Sequence, residues 1–168
     1  MHQYSVIGAP KLVSYLNRAP FLRRISLLSG FSVSNHCLRQ LASALEGKPI
    51  EYLLLSGHYN TSLAEVVNAL NATTLECLNI RSHSIGIDTF EAIAFILSHE
   101  RSVLKEVYVA SLNDESIRVL CCSLSQNTTL EKLMVDYDGV SRVTEVGWAK
   151  VERLLYNDSN IQSVLNSN

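Results

Sequence analysis

The residues best suited to chemistry in this chain are five histidines, at positions 2, 36, 58, 83 and 99, and four cysteines, Cys37, Cys77, Cys121 and Cys122. Imidazole and thiolate become metal ligands, bases or nucleophiles when spacing brings them together. Here the spacing does not. The stretch SHERS, Ser98 to Ser102, offers His99 and Glu100 but lacks the second histidine of a zinc-protease helix. DYDG, Asp136 to Gly139, starts like a calcium loop, yet its twelfth position is Gly147, with no carboxylate. No phosphate-cradling loop, dinucleotide fingerprint or Gly-x-Ser-x-Gly elbow occurs. No catalytic residue, metal site or cofactor is therefore expected. The cysteines fit neither a zinc site nor a disulfide framework. Their apolar surroundings predict buried, reduced thiols and hence a reducing, cytoplasmic compartment.

The remaining chemistry is recognition, and composition narrows it. The chain has 168 residues, is 47% hydrophobic and carries a net charge of −2, with both signs scattered along it. That length suits one domain, 1–168, with ample material for a core. Neither nucleic acid nor an anionic membrane is an expected partner, because both demand a basic field. No basic, apolar leader opens the chain, and no apolar run approaches the ~20 residues of a membrane span.

Positions for recognition residues follow from an internal repeat. Six segments place apolar residues at one, four and six: LRRISL from Leu22, IEYLLL from Ile50, LECLNI from Leu75, LKEVYV from Leu104, LEKLMV from Leu130, and a partial IQSVLN from Ile161. Their starts lie 28, 25, 29, 26 and 31 residues apart. Between them run helical patterns such as Leu38, Leu41, Leu45; Leu63, Val67, Leu70; Phe90, Ile93, Ile96, Leu97; Ile117, Leu120, Cys121, Leu124; and Val151, Leu154, Leu155. A further helix is expected to open the chain near Pro10. Polar turns (EGKP, NATT, SHERS, SQNTT, YNDSN) close the helices. Four Asn-x-Ser/Thr triplets begin at Asn60, Asn71, Asn127 and Asn157, and most are read as turn chemistry. One unit cannot bury its own apolar stripe, but stacked units can.

The L-x-x-L-x-L phrase, its ~28-residue period and the N-x-T-x-L-x-x-L turn resemble leucine-rich repeats of the ribonuclease-inhibitor type. The resemblance implies an α/β solenoid of about five to six repeats, with a curved parallel sheet on the concave side and helices on the convex side. It also implies a non-enzymatic protein-binding module, the recognition part of a larger intracellular sensor or regulator, or else a free-standing adaptor or a secreted effector acting in host cells. Where the family places Asn or Cys at the ninth position, this chain has Gly30, His58, His83, Leu112 and Asp138. His58 and His83, in adjacent units, are expected to support the turning backbone there.

Strand alternation sends the first, fourth and sixth residues inward and the second, third and fifth to the concave face. The expected partner-binding residues are Arg24, Tyr52, Leu54, Asn79, Arg81, Glu106, Tyr108, Lys132, Met134 and Asp136. Leu54, Tyr108 and Met134 are the expected exposed apolar row. The mixed charges of Arg23, Glu51, Glu76, Lys105 and Glu131 flank it. The last segment starts a strand and stops, which points to a fragment of a longer array, or to terminal edges able to self-associate.

Overall fold

The computed structural model describes residues 9–28, 34–57, 62–82, 85–110, 112–135 and 162–163. Helix and strand alternate through them: α1 (Ala9–Asn17), β1 (Arg24–Leu28), α2 (Asn35–Leu45), β2 (Tyr52–Ser56), α3 (Ala64–Asn68), β3 (Cys77–Arg81), α4 (Ile87–Ser98), β4 (Glu106–Val109), α5 (Asp114–Leu124), β5 (Lys132–Val135) and β6 (Gln162–Ser163). The strands form one parallel sheet in chain order, β1-β2-β3-β4-β5-β6. Parallel neighbours need a crossover between them, and each helix from α2 to α5 lies in one.

The register aligns the repeats rung by rung. Ile25, Leu53, Leu78, Val107 and Leu133 sit side by side across β1 to β5. All five are buried, as are Leu55, Ile80, Val109 and Val135 two places further on. Ile50, Leu75, Leu104 and Leu130, the first residues of their segments, are fully buried. Among the described residues the pattern loosens only in the first unit, with Leu22 and Leu27 half-buried at the sheet's β1 edge. The rungs join Leu38, Leu41, Leu45, Phe90, Ile93, Ile117 and Leu120 from the helices in one cluster. Each buried aliphatic contributes about 1.5–3 kcal/mol before chain entropy is set against it.

Hydrogen bonds repeat with the same period. The carbonyl of Arg23 accepts from the amides of both Glu51 and Tyr52, and Glu51, Glu76 and Lys105 do likewise for the next strand, at 2.7–3.0 Å. One oxygen thus fixes where each following strand begins. Helix starts are capped locally. The Ser34 side chain accepts from the Cys37 amide, and Asn113 and Ser116 form a reciprocal capping box on α5. Gly47 ends the turn after α2 at φ +72°, a left-handed conformation in which glycine alone is unstrained.

Several sequence expectations need correction. The cysteines are free but not buried: Cys37, Cys77 and Cys121 are half-buried and Cys122 is exposed. Cys37 sits in the first turn of α2, Cys77 leaves the core side of β3 and Cys122 lies on the outer side of α5, whereas Cys121 packs against the core. Helix α3 is shorter than its pattern, because Leu63 serves as its cap and Leu70 lies in the following turn; both remain buried. At the ninth position, Leu112 is buried among aliphatics and has no side-chain group to bond a turn. Gly30, His58, His83, Asp138, Val151, Leu154 and Leu155 lie outside the described residues.

Candidate functional site

Because the described helices pack on the side of the inward rungs, the alternate residues of each strand occupy a face that none of the described helices covers. Two columns cross this face. One runs Arg24, Tyr52, Cys77, Glu106, Lys132, Gln162, and the other Ser26, Leu54, Asn79, Tyr108, Met134. The structure therefore brings together eight of the ten residues expected at a partner surface in these columns. Arg81 follows Asn79 by two on β3 and shares the face. Asp136 lies outside the described residues.

Leu54, Tyr108 and Met134 are half-buried rather than open, which corrects the expectation of a bare apolar row. Neighbouring side chains a strand apart shield one another. Asn79, at 9% exposure, is buried between Leu54 and Tyr108. Its Oδ1 accepts from Arg81 Nε at 3.2 Å. The Arg81 guanidinium carbon lies 4.9 Å from the centre of the Tyr108 ring, and that of Arg24 lies 4.9 Å from the Tyr52 ring. Each is a cation–π stack of about 0.5–1 kcal/mol at an exposed site, and each limits the rotamers of a long side chain.

Cys77 occupies the middle of the first column. Its thiol donates to Glu106 Oε2 at 3.8 Å. Burial pushes the thiol up to about 11, with the Glu106 carboxylate adding to the rise and Arg24 and Lys132 opposing it. At neutral pH Cys77 is thus a protonated donor, a poor nucleophile and metal ligand. A third row lies where the strands begin. Arg23 pairs with Glu51, and Lys105 with Glu76 at 3.3 Å. These pairs are exposed and individually worth at most about 1 kcal/mol.

On the helix layer, Arg39 and Glu65 meet at 3.8 Å across α2 and α3, both exposed, and Arg118 is exposed on α5. Sequence reasoning missed the Asn79–Arg81–Tyr108 unit as a unit, although it named all three residues. The available signal was an Asn between Leu54 and Tyr108 in its column with an Arg two places on. Among the described residues, no group of three or more His, Cys, Asp or Glu could hold a metal ion, and no helix is long and apolar enough to cross a membrane.

The parallel sheet, its in-register rungs and the helix in each crossover give the chain a leucine-rich-repeat-like α/β fold. No family model and no curated protein matches the sequence. Solved structures do. The actin-binding site 2 of leiomodin-1 superposes with a TM-score of 0.62 at 17% identity, over 92% of this chain and 91% of that one. The C-terminal domain of tropomodulin from Caenorhabditis elegans gives 0.55 at 12% identity, over 90% and 93%. At such identities the likeness is one of fold.

Proposed function

We propose that this chain is a leucine-rich-repeat solenoid of the ribonuclease-inhibitor type, a single domain of five to six units that binds a protein partner through the concave, helix-free face of its sheet. The observation that carries this reading is the column of half-buried Leu54, Tyr108 and Met134 between two stacked arginines, on a face that none of the described helices covers. Aromatic and arginine side chains held in place are the residue types that dominate binding energy at protein interfaces. The surrounding mixed charges set register and partner choice more than affinity. The work is recognition rather than catalysis, performed in the cytoplasm as part of a sensor or regulator. A likeness to an actin-binding site of leiomodin-1 supports a protein as the partner and makes actin the first candidate to assay.

The test is a double variant, Tyr108→Glu with Met134→Glu, beside Arg118→Glu on the helix layer. Circular dichroism should show all of them folded. Purified actin and cell lysate should then be bound by the wild type and the Arg118 variant, with binding lost in the double variant. Equal capture by all three would sink the reading.

A further inference from the structure

The charges on the helix-free face are not spread evenly. Where the strands begin, Arg23 is matched by Glu51 and Lys105 by Glu76, leaving Glu131. In the next column Arg24 and Lys132 open β1 and β5, and Arg81 closes β3; among the described residues of these two rows the one carboxylate is Glu106, which opens β4 and already accepts from Cys77. The cations are also prepared for a ligand. Arg81 is held through Nε by the buried Asn79 and across its plane by Tyr108, while its two terminal nitrogens have no hydrogen-bond partner among the described residues. Arg24 is held against Tyr52. A guanidinium fixed in this way loses little freedom on binding and presents a planar fork that matches a carboxylate.

Resting on the protein-binding reading above, we propose that this face selects an acidic partner segment, whose Asp or Glu carboxylates pair with Arg81 and Arg24 while its apolar side chains lie along Leu54 and Met134. A basic segment would meet Arg24, Arg81 and Lys132, while among the described carboxylates of the face Glu51 and Glu76 are paired, Glu106 accepts from Cys77 and Glu131 is left to answer it. A nucleic acid would find too few cations on a chain of net charge −2 to hold a run of phosphates.

The experiment titrates the protein into short fluorescein-labelled peptides that alternate Glu–Leu, Gln–Leu or Lys–Leu, read by fluorescence anisotropy. The Glu–Leu peptide should bind roughly ten-fold more tightly than Gln–Leu, and added salt should shrink that margin. Arg81→Gln should remove most of it, Arg81→Lys only part, because the charge stays and the fork is lost. Arg39→Gln, on the helix layer, should leave binding unchanged. The proposal is overturned if no peptide binds, if Glu–Leu and Gln–Leu bind alike, if Lys–Leu binds best, or if Arg81→Gln changes nothing. Should it fail while Tyr108→Glu with Met134→Glu still abolishes partner capture, the face is an interface with a different preference. Should that double variant also retain capture, the interface reading falls with it.

Discussion

Two turns that read almost alike are built differently. Asn71 to Leu75 spells NATTL and Asn127 to Leu130 spells NTTL, so the second is one residue shorter. In the first, the backbone carbonyl of Asn71 accepts from the Leu75 amide at 3.0 Å, and the exposed side chain only reaches Thr73. In the second, the side chain of Asn127 takes over. Its Oδ1 accepts from the Leu130 amide at 2.7 Å and from Thr129 at 3.0 Å, in the place of the missing peptide group. Its Nδ2 donates to the Leu97 carbonyl at 2.7 Å, in the helix one unit back. Asn127 is buried at 5% exposure. A shared device joins the two turns: Thr74 and Thr129 each donate to the carbonyl that opens the preceding segment, Ile50 at 3.2 Å and Leu104 at 3.1 Å. The same letters therefore make a local turn in one unit and a tie between units in another. What decides is the number of residues left to reach the next leucine.

The largest effect should be one on which the turns agree. Leu75→Ala and Leu130→Ala each delete a fully buried side chain, and each should lower unfolding free energy by about 2–5 kcal/mol in urea titrations. A wide gap between them would mean that the two units are not equivalent in packing. The next effect should separate the turns. Asn127→Ala strands the Leu97 carbonyl and two amides, at a cost of about 1–3 kcal/mol, whereas Asn71→Ala should cost about 0.5 kcal/mol or less. Equal losses would erase the distinction drawn here. The smallest effect common to both turns should come from their threonines. Thr74→Val removes a hydroxyl shared between the Ile50 and Asn71 carbonyls, Thr129→Val one that donates to Leu104 and accepts from Asn127 Nδ2, and melting curves should place both at about 0.5–1.5 kcal/mol. A much larger loss at Thr129 would make the second turn depend on its hydroxyl more than on Asn127.

The rungs were legible before any coordinates, because burial leaves an aliphatic residue at every inward position and six segments carry the mark. Leu53, Leu78, Val107 and Leu133 align as their spacing implies. The face beside them was legible for the same reason, since inward and outward residues alternate. What escaped was anything decided by side-chain reach. Nothing in the letters of Asn127 distinguishes it from Asn71 except the shortened distance to the next leucine. Cys77 reads as apolar filler but stands on the helix-free face with its thiol directed at Glu106. Leu112 sits where a polar turn-supporting residue was sought, and its aliphatic chain joins the core instead. These outcomes rest on which neighbour a side chain meets one unit away, and a single string of residues does not state that.

Among the described elements each helix packs beside the next helix and each strand pairs with the next strand, with the helices closing over the rungs of their own and adjoining units. Such a body has no keystone. Its cohesion is a chain of successive interfaces, so removing a terminal unit forfeits one interface and leaves the interior pairs standing. Amide exchange should accordingly be slowest around β3 and quicken outward, as though the molecule unzipped from its margins.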